Sequence, residues 1–412
     1  MTNRFLGAFA VFCVLVGSGC ASTQPDRAES PDRATTASSG GVPDTLRGER
    51  GSARGMGTLR AAYVQGDYES VVRRARQRLD DSLSTADAAQ VQMLLGRAEQ
   101  ARGNHEAALD ALRAARTAAF ELDQSLVRID RALGESYVAL YRWPSAASAF
   151  RRVLEARPDD RATRQALAEV YRHSRQWTDA REQYAELVCR DSSNGKWWAR
   201  LAKAEVELGQ IGPAVAHFAR AHALIPQSAD IALTLSRFYR ATMQTDAARR
   251  VVDTTLTHRP ADPRLWRRRA DLAFEEDDFD RARPAYERAI ATGDSSATPY
   301  RRLGMIDVKK RRYEQALSAL HQSFQKDSTS TRTTLYLGIS YLRLDSLQQA
   351  SSYLRRTIDE EAQGPITEAF VQTGNVENQR GDVGAAVEAF RMAVRLRPER
   401  TDVYFHLATA YD

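Results

Sequence analysis

The chain has 412 residues, of which 43% are hydrophobic and 27% are charged, and its formal net charge is +6. The hydrophobic content can build a core and excludes wholesale disorder, while the charged fraction excludes a polytopic membrane protein. Three cysteines are too few for a disulfide scaffold, and the net charge is too small for this length to indicate nucleic-acid binding.

Residues 1–20 predict an export signal. Arg4 precedes an apolar run over residues 5–16, which is too short to span a bilayer comfortably but fits a secretory signal. The run is followed by GSGC, ending at Cys20. This ending resembles a bacterial lipobox, although Gly17 stands where that pattern usually has leucine. The resemblance implies that Cys20 is lipidated and becomes the mature N-terminus.

Ordinary signal cleavage after Ala21 is the alternative, and it would leave Ser22 as an unmodified terminus. In the lipoprotein interpretation, the residue two positions after the lipidated cysteine is Ser22 and not aspartate. In related systems this favours release of the lipoprotein to the outer membrane. Cys13 is then lost with the signal, and Cys189 is expected to be buried as a small apolar side chain.

Residues 21–51 are predicted to form a disordered tether. The segment is rich in Ser, Thr, Pro and Gly, and Val42 and Leu46 are its only large apolar residues. Such a composition cannot bury enough apolar surface to fold. As a flexible coil it would hold the rest of the chain on the order of 30 Å from the membrane.

An alanine recurs every 34 residues along the rest of the chain, which indicates a repeat. These alanines are Ala146, Ala180, Ala214, Ala248, Ala282, Ala316 and Ala350. A small residue lies twelve positions before each one, and a large apolar residue lies four positions after it. This spacing predicts helix–turn–helix units, in which the small residue on helix A lets helix B approach closely. Neither helix buries its apolar face alone, so the units must stack.

The pattern resembles the tetratricopeptide repeat, W-x2-L-G-x2-Y followed by A-x3-F and a closing proline. Residues 127–160 carry it as Leu133-Gly134, Tyr137, Ala146, Phe150 and Pro158. The resemblance covers roughly 85% of the chain and implies an all-α fold, a right-handed superhelical solenoid of about ten units. Units 1 to 10 are expected near residues 52–85, 89–122, 127–160, 161–194, 195–228, 229–262, 263–296, 297–330, 331–366 and 367–400.

The two ends of this array depart from the pattern. Residues 52–126 are predicted to hold degenerate units, since Leu59 and Val71 stand where small residues belong in unit 1. Residues 127–400 form the regular array, and residues 401–412 match only a first helix. This last segment is predicted to be either a capping helix, with a polar outer face, or an incomplete unit.

Three further departures concern single positions. Residues 123–125 form a short insertion after unit 2, and Pro284 falls inside helix B of unit 7, which it should kink or delay. Four of the five tryptophans fall at core positions of the repeat, and Trp197 is the one that lies outside these positions. The four are Trp143, Trp177, Trp198 and Trp266.

No motif for catalysis stands out. The sequence has no Gly-rich phosphate loop, no HExxH and no G-x-S-x-G element. The seven histidines are scattered, and His217 and His222 point to different sides of one helix. We therefore predict no enzyme activity, no catalytic residue, no cofactor and no metal site.

In the resembled family, helix A lines a concave groove through unit positions 2, 5, 6, 9, 12 and 13. In units 5 to 8 these positions hold Lys196, Arg200, Lys203, Arg237, Arg240, Arg264, Arg267, Arg268, Arg301, Arg302 and Lys309. They also hold the acids Glu207, Asp230, Asp271 and Glu275. In unit 9 we expect Leu335, Ile339 and Leu342 to form an apolar docking floor. The alternative is that these basic residues are solvated or pair with the neighbouring acids.

The sequence thus favours a non-catalytic, lipid-anchored scaffold of the bacterial cell envelope, on the periplasmic face or the surface of the outer membrane. Its groove would bind extended protein or peptide segments, which the basic residues suggest are acidic. An accessory or substrate-holding subunit of an envelope polysaccharide or peptidoglycan enzyme is the alternative, with an anionic glycan in the groove. Nucleic acid is not an expected partner of an exported protein.

Overall fold

The computed structural model describes residues 56–121, 126–360 and 366–411, and these residues form 21 helices and no strand. The predicted signal, Cys20, the tether and residues 123–125 lie outside the described residues. The helices are α1 (56–64), α2 (Tyr68–Leu79), α3 (Thr85–Ala101), α4 (His105–Glu121), α5 (Val127–Ala139), α6 (Trp143–Ala156), α7 (Arg161–His173), α8 (Trp177–Arg190), α9 (Gly195–Glu207), α10 (Ile211–Leu224), α11 (Ala229–Ala241), α12 (Thr245–His258), α13 (Pro263–Glu275), α14 (Phe279–Ala291), α15 (Ala297–Lys309), α16 (Tyr313–Lys326), α17 (Thr331–Arg343), α18 (Leu347–Asp359), α19 (Ile366–Arg380), α20 (Val383–Leu396) and α21 (Thr401–Thr409).

The helices form consecutive pairs, from α1 and α2 in unit 1 to α19 and α20 in unit 10. From α2 onward each helix packs on the next one along the chain, and several odd-numbered helices also touch the first helix of the following unit. This is the arrangement of a helical solenoid, and it confirms the predicted all-α fold. Each unit buries its apolar faces against its neighbours as well as within its own pair.

The small residue of helix A meets the large residue of helix B directly. In unit 3, a Cβ atom on Gly134 would lie within 2.7 Å of three ring atoms of Phe150. Gly374 stands in the same relation to Phe390 in unit 10. Units with alanine at this place bury it equally, as Ala168 shows. Close helix approach is therefore the physical reason for the 34-residue pattern.

The structure shows how two predicted irregularities are accommodated. In unit 1, Leu59 and Val71 are buried, and the small residue is Ala75 on α2, so the large side chain has moved to the first helix. Pro284 does not delay its helix, because α14 begins at Phe279, the same unit position at which the other B helices begin.

The cysteine prediction needs correction, and the structure adds detail to the tryptophan prediction. Trp197, which the pattern left over, is buried in a core cluster with Tyr184 and Leu201. The tryptophans at the pattern positions are half-buried, and Trp143, Trp198 and Trp266 pack against core clusters. Cys189 is exposed, because it lies on α8 next to the buried face formed by Leu187 and Val188 rather than on it.

The last described helix, α21, packs on α20 through Val403 and Ala410. Its other side exposes Tyr404, Phe405 and the nearby Tyr411. These aromatic side chains lie beside exposed polar residues such as Asp402 and Thr409, so the outer face is mixed rather than polar as we expected of a capping helix.

Candidate partner-binding groove

The basic residues predicted to line the groove lie on α9, α11, α13 and α15, the first helices of units 5 to 8. We call this side of the helices the A-helix face. Its exposed members are Lys196, Lys203, Arg237, Arg240, Arg264 and Lys309, and its half-buried members are Arg200, Arg267, Arg268, Arg301 and Arg302. Their surroundings divide them into two groups, according to whether a carboxylate balances the charge.

The first group is balanced by carboxylates. Arg264 illustrates it, with Nη1 2.9 Å from Asp230 Oδ1 and Nη2 2.9 Å from Asp262 Oδ2. These contacts raise the pKa of Arg264, and the Asp262 hydrogen bond is the largest cause. The other pairs are Arg200 with Glu169, Arg240 with Glu275, Arg267 with Asp294 and Lys309 with Asp277. The expectation that some of these residues pair with neighbouring acids therefore holds for five of the eleven.

Arg268 has no carboxylate at hydrogen-bond distance within the described residues. Its Nε donates to Ser236 Oγ and its Nη2 to the Ser236 carbonyl oxygen, both at 2.8 Å. Burial lowers the pKa of Arg268 and the charge of Arg240 lowers it further, while the carboxylates of Glu275 and Asp271 raise it in part. Within the described residues this guanidinium hydrogen-bonds only neutral groups, so it is open to direct contact with a carboxylate of a partner.

Arg301 and Arg302 form a similar arrangement one unit further along. Arg301 Nη1 donates to Ser330 Oγ at 3.2 Å, and burial with the charges of Arg302 and Arg332 lowers the pKa of Arg301. Arg302 lies over the ring of Phe274, 4.4 Å from its centroid, and its buried Nε has no hydrogen-bond acceptor among the described residues. This guanidinium is oriented by an aromatic face rather than by an acid.

Two of the helices enclose a cleft on the A-helix face. It has a volume of about 460 Å³ and lies between α11 and α13. Its lining consists of Asp230, Leu233, Thr234, Arg237, Arg264, Arg267, Arg268 and Asp271. Four predicted groove arginines therefore come together in one place. Lys196 and Lys203 on α9 are exposed and have no carboxylate partner within the described chain.

The apolar docking floor predicted in unit 9 is not available as a surface. Leu335 and Leu342 are 4% and 3% exposed, in a core cluster with Ala369 and Val376 of α19. Only Ile339 is half-buried among the three. The next unit covers these leucines, so they hold the array together and the prediction of a floor is wrong for them.

Several residues of this face were not found from the sequence. Asp262 and Asp294 neutralise arginines on α13, yet both lie in turns, outside the helix A positions that predict the groove. Asp262 carries a recognisable signal, because it is the N-cap of α13 and accepts a hydrogen bond from the Arg264 amide. Ser236 and Phe274, which orient Arg268 and Arg302, have no such signal.

The described residues offer neither a metal site nor a membrane-spanning helix. Among residues 56–121, 126–360 and 366–411, no group of three or more His, Cys, Asp or Glu side chains is placed to hold a metal ion. Within the same ranges, no helix combines the length and the apolar composition needed to cross a membrane.

Comparison with known protein families agrees with this architecture. Two family models described as tetratricopeptide repeat match residues 226–407 and 131–196, together more than half of the chain. The chain belongs to the tetratricopeptide repeat family. Repeats of this family are protein-interaction scaffolds and are generally not catalytic.

Individual relatives of this tetratricopeptide repeat protein are distant. The peroxisomal targeting signal receptor of Saccharomyces cerevisiae is 24% identical over 123 residues, which cover 30% of this chain and 18% of the receptor. The PilF structure from Pseudomonas aeruginosa is 15% identical and covers 53% of this chain and 99% of PilF, with a TM-score of 0.45. The Cut9–Hcn1 structure is 11% identical and covers 88% and 84%, with a TM-score of 0.44.

Proposed function

We propose that this tetratricopeptide repeat protein is a lipid-anchored scaffold of the bacterial cell envelope, and that its A-helix face binds an extended acidic segment of a partner protein. Membership of the family supports one part of this proposal, namely that the protein is a protein-interaction scaffold. The likeness to a targeting signal receptor agrees with a role in binding other proteins. The nature of the partner and the anchor rest on this chain's own residues.

The observation that carries the proposal is a set of arginines that have no carboxylate at hydrogen-bond distance within the described residues. Arg268 and Arg301 are held by serine oxygens, Arg302 by an aromatic ring, and burial with neighbouring positive charge lowers the pKa of the first two. A partner carboxylate would replace missing counter-charges instead of competing with existing ion pairs. Arginine is suited to this task because its planar group binds a carboxylate through two parallel hydrogen bonds.

A fluorescein-labelled oligo-glutamate peptide is the probe for the proposed activity, with affinity measured by anisotropy at several salt concentrations. The variant Arg268→Gln/Arg301→Gln should weaken binding by about tenfold and reduce its salt dependence. Glutamine is chosen because its amide can still donate to the serine oxygens, which favours correct folding.

The matched control is Arg220→Gln/Arg250→Gln. These exposed arginines lie on the second helices α10 and α12, and their removal changes the net charge by the same amount. Equal losses in both variants would show that only the overall charge attracts the probe, and unchanged binding in the first variant would refute the proposed site. Stronger binding of alginate than of the peptide would favour the polysaccharide-linked alternative.

The membrane anchor needs a separate test, because it rests on the sequence around Cys20. Mass spectrometry of the mature protein from the native membrane should find a diacylated cysteine at the N-terminus. An unmodified Ser22 terminus would refute lipidation and leave the binding proposal unaffected.

A further inference from the structure

A second cleft lies on a different side of α13 from the A-helix face. It has a volume of about 700 Å³ and opens between the second helices α12 and α14, with α13 at its floor. Its lining consists of Arg249, Asp253, Trp266, Arg269, Ala273, Asp280, Arg281, Pro284, Ala285 and Arg288. None of these residues is among those predicted to line the groove.

The repeat pattern explains why space is left here. Unit position 11 carries a large or charged side chain in every unit from 2 to 10 except unit 7. The residues are Glu99, Tyr137, Tyr171, Glu205, Tyr239, Ala273, Asp307, Tyr341 and Glu377. Ala273 is thus the one small side chain in this series, and it lies at the floor of the cleft.

The tyrosine of unit 3 shows what occupies this place elsewhere. The Tyr137 ring contacts α4, where Arg113 lies 5.7 Å from its centroid and Arg113 Nη2 donates to the phenol oxygen at 3.2 Å. Arg113 belongs to the unit that precedes Tyr137. At the same position of the unit that precedes Ala273 stands Asp253 on α12, and Asp253 lines the cleft. The space beside Ala273 therefore corresponds to the place of an aromatic ring in a sister unit.

The walls of this space are apolar near the floor and cationic at the rim. Trp266 is fixed by a hydrogen bond from its Nε1 to the Pro260 carbonyl oxygen at 2.7 Å. Arg269 and Arg288 lie over its ring, 5.4 and 5.9 Å from the centroid. Pro284 and Ala285 of α14 complete the apolar part.

Among the residues that the structure describes, one charge at the rim is left without a counter-ion. Arg269 pairs with Asp253 at 3.1 Å and Arg281 with Asp278 at 3.4 Å. Arg249 is paired with Glu276 in the same way. Arg288 is exposed and has no carboxylate partner within the described residues, and its guanidinium is held only against Trp266.

We propose that this cleft binds an aromatic carboxylate, with the ring beside Ala273 and the carboxylate on Arg288. A planar ring fits the place that a tyrosine fills in other units, and it would pack on Trp266, Pro284 and Ala285. The carboxylate supplies a counter-charge to Arg288, which has no ion-pair partner in the part of the chain that the structure describes. Such a group is found in a free aromatic acid or at the end of a protein chain whose last residue is aromatic.

Isothermal titration calorimetry of the full chain tests the proposal with three probes. They are N-acetyl-phenylalanine, its amide, and a peptide that ends in phenylalanine with a free carboxylate. The acid, the peptide or both should bind, and the amide should bind at least about fivefold more weakly because it lacks the charge. Binding of the peptide alone would identify a chain terminus as the source, and equal binding of the free acid would indicate a small molecule.

Two variants locate the site. Ala273→Tyr restores the side chain that sister units carry, fills the cleft and should abolish binding while far-UV circular dichroism and thermal stability are retained. Arg288→Gln, at an exposed position, should weaken binding of the acid about tenfold and leave binding of the amide unchanged. Arg220→Gln is the control and should have no effect.

Several outcomes would overturn the proposal. They are the absence of binding by any probe, equal affinity for acid and amide, and undiminished binding in folded Ala273→Tyr. If Ala273→Tyr does not fold, the Arg288→Gln result decides alone. The test is independent of the acidic-segment proposal, since Arg268→Gln/Arg301→Gln should bind N-acetyl-phenylalanine normally.

Discussion

Single residues at the A–B turns adopt a backbone conformation that favours glycine. Within the described residues, unit position 15 has a positive φ in all ten units. Glycine fills it in four units, but Met243 and Arg311, with φ of 60° and 58°, illustrate the six units in which a side chain occupies it. The left-handed conformation costs such residues about 1–2 kcal/mol, so these turns are locally suboptimal.

Replacing Met243 should therefore stabilise the protein. Its side chain is 87% exposed, so little packing is lost, and Met243→Gly should raise the free energy of unfolding by about 0.5–1 kcal/mol. The gain is partly offset by the greater freedom of glycine in the unfolded chain. Met243→Ala keeps the unfavourable φ and is the control. Equal thermal stabilities of the two variants would contradict the explanation.

A buried histidine predicts a pH dependence of stability. His222 is 8% exposed, and its Nε2 donates to Thr255 Oγ1 at 2.9 Å, because the Thr255 hydroxyl already donates to the Val251 carbonyl oxygen. Burial lowers the pKa of His222 below 6.5, and the charge of His258 lowers it further. The unfolded chain then binds more protons than the folded one in this range, so stability falls as pH drops from about 7 to 5.

The variant His222→Gln should reduce this loss of stability, because glutamine donates the same hydrogen bond and does not titrate. The measurement is the melting temperature at pH 7 and pH 5 for both proteins. A pH dependence that is the same in both would mean that His222 does not contribute. Some dependence should persist in the variant, since burial also lowers the pKa of His321.

At the scale of helices, the contact between helix A and helix B is the most restrictive feature. Gly134→Ala places a methyl group against the Phe150 ring, which is itself buried and cannot move aside freely. We expect a net loss of about 1–2 kcal/mol, since overpacking outweighs the higher helix propensity of alanine.

The control for this prediction is Gly384→Ala in α20. The nearest atom to a Cβ there is Asp382 Oδ1 at 3.6 Å, an ordinary contact, so the substitution should be neutral or stabilising. Thermal unfolding of both variants is the measurement. If Gly134→Ala matched Gly384→Ala, the close approach would not explain the recurrence of small residues.

At the scale of the whole molecule, buried carboxylates tie neighbouring units together. Asp307 on α15 is 2% exposed and pairs with Arg283 of the preceding unit and, at 2.9 Å, with Arg312. Glu99 plays a comparable part between units 1 and 2, where Arg76 lies 2.8 Å away. Repeat arrays depend on such contacts between neighbours, since each unit is unstable alone.

Removing one of these carboxylates should loosen the array. Asp307→Ala should lower stability by about 1–3 kcal/mol, which is less than for a fully buried pair because both arginines can reach solvent. Asp280→Ala is the control, since Asp280 joins the same two units through Lys310 but is exposed, and little change is expected. Hydrogen exchange across α14 and α15 is the measurement, and equal protection in the two variants would contradict this role of Asp307.

Much of the fold could be predicted because its cause is local and repeated. The 34-residue spacing of small and large residues follows from one helix contact, as between Gly134 and Phe150, and appears in the sequence without any tertiary information. The groove could be predicted only as a set of positions. The neutralisation of Arg264 depends on Asp262, and the burial of Leu335 depends on the packing of α19. The residue pattern of a single unit contains neither fact.

The sequence by itself determined the class of fold, the phase of the repeat and the family, because helix periodicity and steric size are properties of neighbouring residues. The tertiary structure decided which charges are free. Arg264 and Arg268 are both arginines at predicted groove positions of unit 7, yet in the part of the chain that the structure describes the first is paired with two carboxylates and the second only with the oxygens of Ser236. Counter-charges come from turns and adjacent units, whose distances are set only when the helices stack.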